Sequence, residues 1–195
     1  MTRYSFLTTL FFLTSAQGAA ADTSLYAEAA PADASFVRFI GFDGADNAQF
    51  DGFTFALTAD AADKYIPISS ALLDHTAPGS FVSVLRGADG AVQTITEGAR
   101  SRRTKVSLLL LNASATPVHL RLADGSVPVV ENVAPAASAQ RAVNPVAISL
   151  GVFADGQDAP LAVFDVALRR GQNLSFVVEA DSVRLVENQF APVAK

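Results

Sequence analysis

Along most of the chain, apolar residues alternate with polar ones at a period of two, in short runs closed by Gly, Pro, Asp or Asn. That is the pattern of half-buried β-strands separated by turns. Ser35–Phe42 predicts the first strand, with Phe36, Arg38, Ile40 and Phe42 on one face and Val37 and Phe39 on the other. Apolar residues on both faces predict an inner strand of a packed sheet. After the Asp43-Gly44 turn, Phe53, Phe55 and Leu57 alternate with Thr54, Ala56 and Thr58. Lys64–Ile68 and Ser80–Arg86 continue the pattern around the Pro78-Gly79 turn, and Asp89-Gly90 turns the chain into Ala91–Thr96. Ser69–Asp74 has room for one helical turn.

Further on, Val106–Leu111 is a continuous apolar strand ending at Asn112. Val118, Leu120 and Leu122 alternate with His119 and Arg121, which predicts one buried face and one wet face. Asp124-Gly125 leads into Val127–Val130, and Val146–Phe153, Leu161–Leu168, Asn173–Glu179 and Val183–Glu187 follow, separated by Asp155-Gly156, Gly171 and Asp181. Many short strands and no long helical period point to an all-β protein built of β-sandwiches or small barrels. The basic stretch Arg100, Arg102, Arg103 and Lys105 divides the pattern into two halves. The expected organisation is two tandem small β-sandwich domains, 22–98 and 105–195, joined by a short basic linker at 99–104. A weak internal repeat, Pro67 and Pro78 before Phe81–Leu85 and Pro135 and Pro145 before Ile148–Val152, fits either duplication of one β-module or chance.

The chain opens with Arg3, an apolar run from Phe6 to Leu13 and the small residues Ala19-Ala20-Ala21. A cation, a short apolar core and a small-residue site form a secretory signal peptide over 1–21, with cleavage expected after Ala21. The run is too short to span a bilayer, which takes about 20 residues, and no later segment is long and apolar enough. The expectation is an exported protein with no transmembrane segment in its mature chain.

Composition narrows the function. The net charge is -5, and removing the leader takes away Arg3 and no acid. An acidic chain does not suit nucleic acid, because phosphate neutralisation dominates that affinity. There is no cysteine, so thiol nucleophiles and Cys-ligated zinc are excluded and the core alone must hold the fold. No tryptophan is available for a stacked sugar platform, while 14 Phe and 50% hydrophobic residues supply an ample core.

For acyl transfer or hydrolysis a nucleophile needs a base and oxyanion donors. Only His75 and His119 could supply an imidazole, and no Gly-x-Ser-x-Gly elbow is present. Asp155-Gly156-Gln157-Asp158 lacks the spacing and terminal Glu of a calcium loop and reads as a turn. No catalytic constellation, metal site or cofactor site is therefore expected. Two features remain as candidate contacts with a partner or polymer. Arg100, Arg102, Arg103 and Lys105 form a cationic cluster, with a solvated linker as its alternative. Arg38 places a charge on an apolar strand face, with a structural salt bridge as its alternative.

Leu25-Tyr26, Ala30-Pro31, Phe36-Val37-Arg38 and Pro78-Gly79-Ser80-Phe81 resemble the first half of the AlgF family of alginate O-acetylation accessory proteins. Val133-Ala134-Pro135, Val143-Asn144-Pro145, Leu150-Gly151-Val152-Phe153 and Arg170-Gly171-Gln172 resemble its second half. Ile40–Gln49 departs from the family pattern, being longer and more acidic. The resemblance implies a periplasmic, non-catalytic adaptor of two β-sandwich domains. Its implied partners are the periplasmic and membrane-bound acetyltransferase components of an alginate acetylation complex, with the anionic polysaccharide as a further candidate. The alternatives are a secreted carbohydrate-binding or adhesive β-module and an esterase or acetyltransferase using His75 or His119.

Overall fold

The computed structural model describes residues 28–44, 46–87, 89–98, 104–180 and 182–194. The predicted signal peptide and most of the basic linker, including Arg100, Arg102 and Arg103, lie outside the described residues. In the first half the strands are β1 (Ala34–Ile40), β2 (Asn47–Phe50), β3 (Phe53–Ala56), β4 (Tyr65–Ser69), β5 (Phe81–Arg86) and β6 (Val92–Glu97). The second half contains β7 (Val106–Asn112), β8 (Val118–Leu122), β9 (Pro128–Val133), β10 (Ala137–Val143), β11 (Ala147–Ala154), β12 (Ala162–Ala167), β13 (Asn173–Glu179) and β14 (Ser182–Glu187). The fold is all-β, as the alternation predicts, and no helix among the described residues is long and apolar enough to cross a membrane.

The strands form four-stranded sheets in the orders β4-β1-β5-β6, β10-β7-β13-β14 and β12-β11-β8-β9, with β2-β3 as a separate hairpin. The first two sheets follow one plan. In each, the leading strand pairs antiparallel with one strand (β1 with β4, β7 with β10) and parallel with another (β1 with β5, β7 with β13). The parallel strand then forms a hairpin with the next, β5 with β6 and β13 with β14. This equivalence sets β5 against β13, whereas the Pro-flanked repeat set Phe81–Leu85 against Ile148–Val152 in β11. The recurring unit is thus a pairing plan, which shared Pro positions do not encode.

Three apolar layers hold the sheets together. Val37, Phe39, Val82 and Val84 point from the first sheet onto the β2-β3 hairpin, where they meet Ala48 and Phe55. Leu108, Leu110, Phe176 and Val178 fill a sandwich with Leu120, Leu150 and Val152 of the third sheet. Between the first and second sheets, Ile40, Leu85 and Ile95 pack on Leu109, Leu111 and Val177. Each such side chain contributes about 1.5–3 kcal/mol relative to exposure. Strands β1 and β7 are each covered on both faces, which accounts for the apolar residues on both faces of each. The tail also docks on the first half: the Tyr65 amide donates to Gln189 O, the Ala191 amide to Tyr65 O and the Ala194 amide to Pro67 O.

Several local expectations change. Strands β2 and β10 carry small and polar residues that give no clear period-two signal. β2 exists because Asp51 (φ 47°) and Gly52 (φ 82°) close a two-residue hairpin turn with both residues left-handed. β10 exists because it pairs with β7 over its whole length. The helical turn expected within Ser69–Asp74 is a short 3-10 turn at Ser70–Leu72. His119 is buried rather than wet: its cross-strand neighbour Phe153 is buried beside it on the outer face of the third sheet.

Candidate functional site

Arg38 is fully buried between the first two sheets, where it organises a polar cluster inside an apolar interface. Its Nε and Nη2 donate to Ser83 Oγ at 3.1 and 3.0 Å, and Nη2 also reaches Glu97 Oε1 and Ser175 Oγ, each at 3.2 Å. Nη1 donates to Asn188 Oδ1 at 2.7 Å. The guanidinium carbon lies 4.3 Å from the centroid of the Tyr65 ring, whose hydroxyl donates to Glu97 Oε2 at 2.7 Å. A buried ion pair is tolerable only when its remaining donors and acceptors are satisfied, and the serines do this. Ser83 accepts from Arg38 and donates to Glu97 Oε1 at 2.6 Å, while Ser175 accepts from Arg38 and donates to Asn188 Oδ1 at 2.7 Å. Arg38 therefore has the salt-bridge role, and its burial removes it from any surface contact with polymer.

The cluster follows the shared sheet plan. Ser83 pairs with Arg38 on β1, and Ser175 pairs with Leu109 on β7, the equivalent place. Ile95 lies opposite Ser83 and Val186 opposite Ser175, so Glu97 and Asn188, two residues further on, are equivalent as well. One half supplies the cation, and both halves supply matching oxygen acceptors. At the other end of this interface, the β5-β6 and β13-β14 hairpins flank a groove of about 470 Å³. Leu85, Asp89 and Gln93 line one side, and Ala113, Glu179 and Ser182 line the other. Glu179 is held by Arg184 Nη2 at 2.9 Å.

Of the basic cluster, Lys105 is described; it is half-buried, with Nζ donating to Asn144 Oδ1. The histidines belong to different halves, His75 between β4 and β5 and His119 in β8. His119 Nδ1 accepts the Asn132 amide at 3.0 Å, which leaves the proton on Nε2, 3.2 Å from Asp155 Oδ1. Both ring nitrogens are thus engaged. His75 is exposed, with Nδ1 at 2.9 Å from Asp51 Oδ1. Among the described residues neither ring hydrogen-bonds a serine or threonine hydroxyl. Asp51 sits at the β2-β3 turn and accepts from the His75 amide, the Thr76 amide and Thr76 Oγ1. These bonds, the Thr76 hydroxyl foremost, hold its carboxyl down to about 2. In return, the hydrogen bond and charge of Asp51 raise the His75 imidazole above its ordinary value. Asp51, Asp74 and His75 could each offer one ligand atom within 4.8 Å of the others. The Asp51 oxygens are already filled by N–H and O–H donors, so the group acts as a latch from hairpin to loop.

The sequence model of a family described as Alginate O-acetyl transferase AlgF matches residues 8–175. The chain belongs to the AlgF family. It is similar to the alginate biosynthesis protein AlgF of Pseudomonas syringae pv. tomato, 28% identical over 171 residues that cover 78% of this chain and 74% of that protein. It is also similar to AlgF of Azotobacter vinelandii, 25% identical over 193 residues, covering 90% of this chain and 83% of that one. A solved structure of the C-terminal domain of AlgF from P. aeruginosa is 26% identical and covers 47% of this chain and 99% of its own, with a TM-score of 0.37.

In this AlgF-family chain, sequence reasoning found Arg38 but missed Ser83, Glu97, Ser175 and Asn188. The available signal was the alternation itself. Ser83 lies on a face shared with Leu85, and Ser175 on one shared with Val177, so each is a small polar residue on an apolar stripe that calls for a buried partner.

Proposed function

We propose that the chain is a non-catalytic periplasmic accessory protein of alginate O-acetylation, acting as an adaptor for acetyltransferase components. The observation that carries the alginate O-acetylation part of this reading is the match over residues 8–175 to the family described as Alginate O-acetyl transferase AlgF. The engagement of both His119 ring nitrogens supports a non-catalytic role for that residue, because a general base needs a free nitrogen directed at a nucleophile, and among the described residues no serine or threonine hydroxyl bonds the His75 ring. Arg3, the apolar run Phe6–Leu13 and Ala19–Ala21 support export to the periplasm.

The test replaces His75 and His119 together by Ala and measures alginate acetylation in cells where the protein still accumulates. Acetylation near the unmodified level is expected. A fall on the order of 10²–10⁴-fold, the usual effect of losing a general base, would replace the adaptor with an enzyme.

A further inference from the structure

Strand edges expose unpaired backbone groups, and proteins ordinarily guard them with proline, charge, bulges or a covering segment. Here β4 is covered by the chain's own tail through Gln189, Ala191 and Ala194. β9 opens with Pro128 and pairs irregularly with β8, β10 carries Arg141, and β14 carries Arg184 and Glu187. β12 ends its sheet without proline, bulge or covering segment, and its single charge is the exposed Asp165. It contains no proline and no base, and it pairs regularly with β11 from Ala162 to Ala167.

The free hydrogen-bonding groups can be identified. The Leu168 amide donates to Val146 O and the Leu161 amide to Val152 O, so the even-numbered residues of β11 face β12. In the antiparallel register Ile148 meets Val166 and Leu150 meets Phe164. The backbone N–H and C=O of Val163, Asp165 and Ala167 therefore point away from the sheet. Their side chains are exposed too, with Val163 50% accessible and nearby Leu161 43%. A shallow hollow of about 490 Å³ runs beside Asp165 and Ala167 over Ile148 and Ser149. Ser149 Oγ donates to Asp165, and among the described residues no base faces that carboxylate.

We propose that the β12 edge is a docking site for an extended strand of a partner protein. That strand would be apolar opposite Val163 and Ala167 and would carry Lys or Arg beside Asp165. Main-chain pairing at a sheet edge supplies affinity, and alternate side chains supply selectivity. A second copy of this chain fits poorly, because the outward row Leu161, Val163, Asp165 and Ala167 offers no base. Paired over the length of β12, with Asp165 opposite Val163 or Asp165 of the other copy, both carboxylates stay uncompensated, and only a register shifted onto Arg169 beyond the strand would meet them. The proposal rests on the adaptor reading, in which the docking strand belongs to an acetyltransferase component.

The experiment uses the full mature chain with purified acetyltransferase components and two edge variants. Val163→Pro removes an outward N–H without touching the β11 ladder, a place where proline is tolerated, and Asp165→Lys reverses the selecting charge. Unchanged circular dichroism and melting confirm the fold of each. The expected result is binding by the unmodified chain and a loss of about tenfold or more for both variants. Equal binding by all three overturns the edge proposal and leaves the adaptor intact. Where no component binds the unmodified chain, the adaptor reading fails, and a synthetic peptide of alternating Val and Thr with one central Lys decides the edge by NMR. Amide shifts at 161–168 that vanish in Val163→Pro uphold it, and their absence overturns it. Self-association of the unmodified chain abolished by Val163→Pro would assign the edge to a second copy and overturn the stated occupant.

Discussion

Ser83 and Ser175 hold the same place in two sheets built to one plan, and the Arg38 guanidinium donates to both hydroxyls. The two halves are therefore joined by one shared cation as well as by apolar packing. Replacing Arg38 alone by Leu, the residue at the equivalent position 109, removes the Arg38 cation from the buried Glu97 carboxylate. Removing one partner of a buried pair costs about 3–5 kcal/mol. Adding Glu97→Gln should recover part of that loss, because the buried negative charge that faced Arg38 is removed with it. Urea or thermal unfolding of both variants checks this, and equal destabilisation of the single and double variants would contradict it.

The apolar face between the sheets predicts how the halves behave apart. Produced as separate chains, 22–98 and 104–195 should co-purify as a complex, since Ile40, Leu85 and Ile95 otherwise face water opposite Leu109, Leu111 and Val177. Size-exclusion chromatography of the mixed fragments reads this directly. Two monomeric, fully stable fragments that ignore one another would mean that the interface adds little.

The Asp51–His75 latch should depend on pH at both ends. Asp51 is depressed from 3.8 to about 2, so its contribution is complete above 3.8 and fades as pH falls toward 2. His75 is raised from 6.5, so its contribution is complete below 6.5 and fades as pH rises through the higher folded value. The latch is tightest between 3.8 and 6.5. Amide exchange of His75 and Thr76, corrected for intrinsic rates, should be slowest there. Asp51→Asn should remove the acid-side change, and an unchanged profile would exclude the latch.

We propose that Arg100, Arg102, Arg103 and Lys105 contact an acidic partner or the polymer. Exposed pairs contribute about 0–1 kcal/mol each, so the four tune an assembly without building it. Reversal of all four to Glu should weaken binding to the acetyltransferase components or to polyuronate at low salt, with the difference shrinking at high salt. Identical affinities at both salt concentrations would reduce the cluster to a connector.

Strand positions were legible where burial imposed a period. Val106–Leu111 announced itself because Leu108 and Leu110 face one core while Leu109 and Leu111 face another. β2 and β10 were illegible because backbone pairing, rather than side-chain burial, defines them. The polar cluster was half legible: a charge on the apolar face of β1 signalled that a partner must exist. Its identity could not be read, because Glu97, Ser175 and Asn188 lie 59, 137 and 150 residues from Arg38. Alternation reports which way a residue points and carries no information about which distant residue it meets. His119 shows the converse limit, since its polar strand face becomes interior once Phe153 packs beside it.

The docking of residues 189–194 on β4, together with the Asn188–Arg38 bond, has a consequence for the order of assembly. An edge of the first sheet and a ligand of its central cation both come from the far end of the sequence. A chain emerging N-terminus first can form the β1-β4 and β5-β6 pairs early, yet it carries an open edge and an arginine short of its buried partners until residues 188–194 have emerged. During that interval the first half is the part most exposed to aggregation and proteolysis. A truncation that removes only the last few strand-like residues would prolong it indefinitely, with its cost borne by strands more than a hundred positions upstream.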